Sequence, residues 1–148
     1  MSDIAAREVA ALLGVKPQAK LRSFTTLDLA EAVARGLRVD AVDRLCGLIA
    51  PGEPAVRNRI VPKATLARRQ RTPERRLSAE EGDKVVRLAR LFAFAADVWG
   101  STAAAQRFFA EPHPLLGGRV PRDVATRTEV GARAVEDLLG RLKYGSAA

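Results

Sequence analysis

Residues 112–145 contain a restricted turn followed by helix signals, and this order constrains the fold more than any other stretch of the chain. Pro112 and Pro114 limit the backbone at the start of the turn. Gly117 and Gly118 then allow backbone conformations that a side chain would forbid. The sequence therefore predicts a tight turn that delivers the chain to a helix in one fixed direction.

Two helices are predicted after this turn. Pro121 suits the first position of a short helix over residues 122–125. Thr126 and Glu129 have the spacing of a capping box, and Thr128 is a competing N-cap for the second helix. That second helix is predicted to end at Gly145, and its apolar stripe consists of Val130, Ala134, Val135, Leu138, Leu139 and Leu142.

Length and composition indicate a globular protein. A chain of 148 residues with 47% hydrophobic residues can bury one good core, or two small cores that share a boundary. No apolar run approaches the roughly 20 residues that span a bilayer, and the N-terminus does not resemble a signal peptide. Cys46 is the one cysteine, which excludes an internal disulfide and fits a reducing compartment. We therefore expect a cytoplasmic protein without membrane contact.

The net charge of +8 is concentrated in one segment. Residues 57–76 contain a single acid, Glu74, and eight basic residues, which leaves a net charge of only +1 for the rest of the chain. The eight are Arg57, Arg59, Lys63, Arg68, Arg69, Arg71, Arg75 and Arg76. A focused charge of this kind indicates a polyanionic partner.

The basic segment has the order of a helix-turn-helix. A short helix over residues 53–59, a turn at residues 60–62 and a second helix over residues 63–71 are predicted, with Leu66 facing inward. The second helix would then lie in the major groove of operator DNA. The predicted DNA-binding residues are Lys63, Thr65, Arg68, Arg69 and Arg71. The alternative is a solvated basic helix that binds nothing.

The N-terminal part is predicted to contain two helices before the basic segment. Residues 1–22 are expected to form a flexible N-terminal segment, in which Ile4, Leu12 and Leu13 could form one or two helical turns before Gly14. Thr25 is a plausible N-cap for a helix whose apolar face consists of Leu27, Ala30, Val33, Ala34 and Leu37. A further helix is predicted over residues 40–49. No period-2 run is present, so the fold class is all-α.

The longest predicted helix runs from Ala79 to Trp99. Ser78 and Glu81 form a capping box at its start, and its second half is apolar on nearly every side. We expect this helix to be central and to join the two halves of the chain. Trp99 and the pair Phe108 and Phe109, from a short helix that follows, are predicted to lie in the core.

The sequence lacks the residue combinations that catalysis needs. His113 is the one histidine and lies in a proline turn, so a Ser-His-Asp arrangement has little to build on. One histidine and one distant cysteine do not form a zinc site. Gly117 and Gly118 do not follow a strand, as a phosphate-binding loop would. We therefore predict no enzyme activity, no metal and no cofactor.

The order of residues toward the C-terminus resembles the toxin-binding domain of the Xre/MbcA/ParS-type antitoxins, partners of the RES-domain toxins. The matching residues are Leu116, Gly117, Gly118, Arg119, Pro121, Thr128, Gly131, Val135, Leu138, Leu139, Arg141 and Gly145. The segment VPKATLARRQR is similar to the recognition helix of the same family, although Ile60 stands where glycine is frequent. Together the similarities span residues 23–145.

The resemblance implies an antitoxin with two functional halves. Residues 23–77 would form an Xre-like helix-turn-helix domain, and residues 78–148 the central helix and a small helical toxin-binding domain. The implied partner toxin consumes NAD, and the C-terminal end of the antitoxin would cover its active site. The predicted toxin-binding residues are Arg119, Arg141, Lys143, Tyr144 and Gly145. Autorepression of its own promoter and a homodimer or larger toxin–antitoxin assembly are also implied.

Two alternative functions stay open at this point. The chain would also suit a stand-alone helix-turn-helix regulator whose C-terminal domain only dimerises. A third hypothesis is an RNA-binding helical module, because positive charge alone does not distinguish DNA from RNA.

Overall fold

Nine α-helices and one 3₁₀ turn form the secondary structure of residues 1–16 and 24–145, the parts of the chain that the computed structural model describes. No strand occurs in these ranges, which confirms the predicted all-α class. The helices are α1 (Asp3–Leu13), α2 (Thr26–Arg35), α3 (Asp40–Ile49), α4 (Ala55–Ile60), α5 (Lys63–Arg71), α6 (Ala79–Trp99), α7 (Thr102–Ala110), α8 (Pro121–Arg127) and α9 (Glu129–Tyr144), with the 3₁₀ turn at Pro114–Leu116.

Helix α6 lies at the centre of the molecule, as the sequence predicts. It begins with the predicted capping box, in which Ser78 Oγ accepts from the Glu81 backbone and the Glu81 carboxylate accepts from the Ser78 backbone. It packs against α1, α2, α3, α4, α7, α8 and α9. Its buried residues are Gly82, Val85, Leu88, Ala89, Leu91, Phe92 and Ala95. Both halves of the chain therefore share one hydrophobic core built on this helix.

Trp99 is not a core residue, and the prediction that placed it there is wrong. Its side chain is 40% exposed at the last position of α6, directly before Gly100 ends the helix. One face of the indole packs against Phe108, with ring centroids 5.1 Å apart. Phe108 and Phe109 are buried as predicted, and Phe109 also contacts Phe92.

The N-terminal segment differs from its prediction as a flexible stretch over residues 1–22. Helix α1 begins with Ser2 as N-cap and packs against α2, α3 and α6. Its side chains Ala6, Val9, Ala10 and Leu13 are buried in the common core. Their spacing of three and four residues gives an amphipathic helix enough apolar surface to dock. The rest of the predicted segment, from residue 17 onward, lies outside the described residues.

Helix α2 is present with its predicted cap but turns a different face to the core. Thr25 accepts from the Asp28 backbone, and the Asp28 carboxylate accepts from the Thr25 backbone at 2.7 Å. Leu29, Val33 and Leu37 are buried, whereas Leu27 is 68% exposed. Among the predicted face residues, Ala30 and Ala34 are exposed as well. The larger Leu29 occupies the core position because it buries more apolar surface than an alanine does.

Helix α9 also presents a narrower buried stripe than the one predicted. Ala132, Val135, Leu138 and Leu139 are buried. Ala134 and Leu142 are exposed, and Val130 is 77% exposed. Thr128 is the N-cap, with its hydroxyl accepting from Gly131 N at 2.9 Å.

Within the described residues, no helix is both long enough and apolar enough to cross a membrane.

Candidate functional site

Helices α4 and α5 are joined by a turn of two residues, Val61 and Pro62, close to the predicted arrangement. Helix α4 begins after Pro54, two residues later than predicted, and α5 has its predicted bounds. Val61 and Leu66 are buried and anchor the pair to the core. Lys84 of α6 donates to the Ile60 carbonyl at 3.2 Å, which satisfies a helix-end acceptor beside the turn.

The outer face of α5 carries three basic residues without partners. Lys63, Arg68 and Arg71 are exposed, and none makes an ion pair with a described residue. Thr65, the fourth predicted contact on this helix, is half-buried. At 100° per residue Arg68 and Arg71 lie about 160° and 140° from the buried Leu66. Lys63, the first residue of the helix, is also exposed. This face is therefore free to meet a polyanion.

Arg69 lies apart from these three residues, which the sequence did not predict. It follows Leu66 by three positions, so it projects from the flank of α5 that faces the core. Its Nε donates to Glu81 Oε1 at 3.1 Å. Burial raises the pKa of the Glu81 carboxyl, but hydrogen bonds from the Ser78 backbone and Arg69 outweigh that effect and lower the pKa below its ordinary value. Arg69 thus ties α5 to the start of α6.

Three more of the eight basic residues in the 57–76 segment are bound within the protein. Arg57 pairs with Asp43 at 2.8 Å, and Arg59 pairs with Asp123 at 3.1 Å. Arg76 donates to the Gly36 carbonyl at 2.7 Å. Half of the charge that the sequence concentrates here is therefore paired or hydrogen-bonded. The other half, Lys63, Arg68, Arg71 and Arg75, is exposed.

The turn that precedes α8 forms a closed loop. His113 N donates to the Arg119 carbonyl at 3.0 Å, and the His113 carbonyl accepts from Gly118 N at 3.0 Å. The imidazole Nδ1 accepts from Leu115 N at 3.1 Å. The loop contacts α9 and leaves Arg119 exposed.

The end of α9 presents the remaining predicted toxin-binding residues. Arg141 is exposed and unpaired among the described residues, and Tyr144 is 76% exposed. Lys143 is engaged instead, because its ammonium group pairs with Asp97 and lies 5.9 Å from the centroid of the Phe94 ring. The hydrogen bond from Lys143 to Asp97 raises the pKa of the lysine. Gly145 follows as the C-cap.

Exposed apolar side chains accompany these residues, and the sequence analysis missed them. Leu115 is 63% exposed in the 3₁₀ turn, and Leu142 is 43% exposed near the end of α9. Together with Trp99, Val130 and Tyr144, they place five of the seven large exposed apolar side chains of the described residues after residue 98. Concentrations of exposed apolar surface are typical of protein-binding sites. The sequence contained little signal for them, because Val130 and Leu142 fit the predicted apolar stripe and Leu115 and Trp99 lie outside α9.

The described residues contain no grouping of three His, Cys, Asp or Glu side chains that would hold a metal ion. Cys46 is half-buried, and burial raises the pKa of its thiol to about 11, which makes it a poor nucleophile. The exposed cations of α5 and the exposed apolar side chains of the C-terminal half are suited to binding other macromolecules.

Comparison with known proteins identifies a family that the chain resembles. Residues 94–145 match the family described as the antitoxin Xre/MbcA/ParS C-terminal toxin-binding domain. A protein of Yersinia enterocolitica named Antitoxin Xre is 33% identical over 119 residues, which cover 79% of each chain. Another of the same name, from Pseudomonas putida, is 30% identical over 92 residues, covering 62% of this chain and 57% of that one.

Proposed function

The chain belongs to the Xre antitoxin family, which is regulatory and non-enzymatic, and we propose that it neutralises a RES-domain toxin and represses its own promoter. In this proposal the C-terminal end covers the active site of an NAD-consuming toxin in the cytoplasm, and α4 and α5 bind operator DNA. The proposal is carried by one observation: unpaired cations and exposed apolar side chains lie on different surfaces of a protein that has one shared core.

The proposed DNA contact rests on the outer face of α5. Lys63, Arg68 and Arg71 are exposed and unpaired, so their charges are not neutralised within the described protein. Thr65 is half-buried beside them and can donate to a phosphate oxygen. Arg69 is reassigned in this proposal from a DNA contact to a residue that positions α5 against α6.

The proposed toxin contact rests on the end of α9 and the loop beside it. Tyr144 offers a large exposed ring, and Arg141 offers an unpaired guanidinium. Tyrosine and arginine are the residues that most often dominate the binding energy of protein interfaces. Arg119, on a loop that contacts α9, would add a second charge to the same surface. Lys143 would orient Tyr144, since its ammonium lies 5.5 Å from the centroid of the Tyr144 ring.

A stand-alone regulator with a dimerising C-terminal domain is the second candidate. Five large exposed apolar side chains in the C-terminal half favour a protein–protein contact without naming the partner. The match to a toxin-binding domain over residues 94–145 supports the toxin as that partner. A homodimer would be compatible with either function.

The test is co-expression of the chain with the product of the adjacent gene. An Arg141→Glu, Tyr144→Ala variant is expected to bind promoter DNA as the parent does and to fail to rescue growth. A Lys63→Ala, Arg68→Ala variant is expected to rescue growth and to lose promoter binding. Arg133→Glu, an exposed change elsewhere on α9, is the control for charge alone.

Rescue at the parental level by the Arg141→Glu, Tyr144→Ala variant would contradict the toxin assignment. If the adjacent gene product is harmless when expressed alone and does not bind the chain, the regulator is favoured instead. A RES toxin is identified by loss of cellular NAD when that product is expressed alone.

A further inference from the structure

A groove lined by five basic residues lies outside the α5 face. It is bounded by the ends of α1 and α2, the start of α3 and the segment that follows α5, and its volume is about 550 Å³. Its basic residues are Lys16, Arg35, Arg38, Arg44 and Arg76, and Asp40 is the one acid in its lining. All five basic residues are exposed. The groove therefore presents positive charge to solvent.

Internal pairing cancels little of this charge. Arg38 lies 3.4 Å from Asp40, and Arg35 lies 4.0 Å from Glu31, but all four side chains are more than half exposed. Exposed ion pairs of this kind contribute little and are readily exchanged for another anion. Among the described residues Lys16 and Arg44 have no ion pair.

At two glycines the backbone packs so closely against neighbouring groups of the groove that a side chain would not fit. A Cβ at Gly14 would stand 2.6 Å from Arg44 Nε, so the Arg44 side chain lies directly on the end of α1. A Cβ at Gly36 would stand 2.8 Å from the Leu77 carbonyl oxygen and 3.1 Å from Arg76 Cβ. The segment carrying Arg76 is also paired with Arg38 through an isolated antiparallel bridge. The arginines are thus presented on a fixed backbone.

The groove continues from the exposed end of α5. Arg71 is the last residue of that helix, and five residues of extended chain reach at most about 18 Å, so Arg76 lies within that distance of Arg71. Arg75 lies between them and is exposed. The segment that leads from α5 to the groove therefore carries a row of cations along the sequence, Arg68, Arg71, Arg75 and Arg76, and Arg76 is bridged to Arg38. Successive phosphates on one DNA strand are spaced closely enough for several to meet such a row.

We propose that this groove binds the phosphate backbone of duplex DNA beside the segment contacted by α5. The inference rests on the proposed DNA-binding function and extends it to a second surface. Exposed guanidinium and ammonium groups along an open groove suit a continuous polyanion better than a small free anion, which needs enclosing donors. The contact would add affinity and fix orientation without reading sequence, because phosphates are the same at every base pair.

The test uses two promoter duplexes that contain the stretch of DNA that the parent chain protects in a footprinting experiment. One ends where this stretch ends, and the other extends by about one helical turn, roughly 10 bp, on each side. The parent is expected to bind the longer duplex more tightly. An Arg38→Ala, Arg44→Ala variant is expected to lose this preference, with an affinity for the longer duplex lower by on the order of tenfold at physiological salt.

The salt dependence identifies the kind of contact. On the longer duplex the variant should have a log–log salt slope that is shallower by roughly 0.9 for each phosphate contact removed. Arg127→Ala with Arg133→Ala is the matched control, because it removes two exposed arginines from α8 and α9 and should bind both duplexes as the parent does. Circular dichroism of all three proteins should be the same, since the substituted side chains are exposed.

The outcomes separate this proposal from the function on which it rests. Parental affinity and slope for the Arg38→Ala, Arg44→Ala variant on the longer duplex would overturn the groove and leave the α5 contact standing. Equal loss on both duplexes would overturn the flanking position of the contact. A parent chain that binds neither duplex would overturn both proposals.

Discussion

Arg122 of α8 donates through Nη2 to Glu53 Oε2, and the two residues are 69 positions apart in the chain. Arg122 is 9% exposed, and its Nε and Nη1 are buried without a hydrogen-bond partner among the described residues. The next residue, Asp123, pairs with Arg59 of α4 at 3.1 Å. Two ion pairs therefore join α8 to the α4 region. Helix α8 supplies the cation in one pair and the anion in the other. The two pairs link the C-terminal half to α4 and the residues just before it.

The Arg122–Glu53 pair should be asymmetric in its contribution to stability. Glu53→Gln leaves a buried guanidinium without its counter-charge, and we expect a loss of about 1–3 kcal/mol in the free energy of unfolding. Arg122→Met replaces the buried charge by an apolar chain and should cost less, because the released Glu53 carboxylate is half exposed. Urea denaturation at pH 7 measures both. Equal losses for the two variants would contradict this asymmetry.

Gly131 should tolerate no side chain. A Cβ at this position would stand 2.2 Å from the Val124 carbonyl oxygen, so α8 and the first turn of α9 approach too closely for alanine. Gly131→Ala is expected to destabilise the protein by roughly 1–3 kcal/mol through overpacking. Gly140, on the same helix, has no atom within 4 Å of its Cβ position. Gly140→Ala should therefore stabilise the protein by about 0.5–1 kcal/mol. If thermal denaturation gives a lower Tm than that of the parent for both variants, the predicted opposite effects of the two substitutions are wrong.

Truncation of Phe92 should be costly to the stability of the core. Its side chain is 2% exposed in the middle of α6, and its ring lies 6.0 Å from Phe109 between centroids. Phe92→Ala is expected to cost about 3–5 kcal/mol through lost burial and a residual cavity. Val130→Ala, at a position 77% exposed, is the control and should change stability by less than about 0.5 kcal/mol. A stable Phe92→Ala protein would show that the core adapts around α6.

Glu81 should make stability depend on acid pH. Its pKa is lowered in the folded protein from an ordinary value of 4.5, so the charged carboxylate stabilises the fold at neutral pH. This contribution is complete above the ordinary pKa and is lost as the pH falls through the lower, folded-state pKa. Glu81→Gln is therefore expected to lower the free energy of unfolding by about 1 kcal/mol at pH 7. Its deficit relative to the parent should shrink as the pH falls below 4.5.

The matched control for this prediction is Glu80→Gln. It removes the same charge from the same helix end at an exposed position outside the capping box. Its stability relative to the parent should change less with pH than that of Glu81→Gln. A constant deficit for Glu81→Gln from pH 7 down to acid would mean that the carboxylate charge contributes nothing.

Helix-capping residues and helix-ending prolines predicted the bounds of several helices correctly. Helices α3, α5 and α6 have their predicted bounds, because Pro51, Pro62 and the Ser78 capping box act locally and need no tertiary information. Helix α1 was the exception. Its buried residues have helical spacing, but four of the eleven residues are small alanines on several faces, so the apolar stripe is weak until the helix packs against α6.

The predicted site residues depended on contacts that a sequence pattern does not contain. Lys63, Arg68 and Arg71 are exposed as expected. Arg69 and Lys143 have the same charge and similar neighbours, yet each is paired with a carboxylate of α6, Glu81 and Asp97. Such pairs require the packing of whole helices against α6. Charge in sequence therefore predicts which segment is basic, and tertiary contacts decide which cations are free.

The sharing of α6 has a consequence for how the two activities can be studied separately. Arg87 of α6 hydrogen-bonds to Glu129 and to the Thr126 carbonyl, while Lys84 of the same helix holds the Ile60 carbonyl. Any cut between the halves removes α6 from at least one of them, and that half then loses the helix it packs against. Excised fragments should therefore aggregate or unfold, whereas surface substitutions leave the packing against α6 intact. A change of partner is therefore expected to require changes only in exposed side chains, with α6 and its contacts to both halves left as they are.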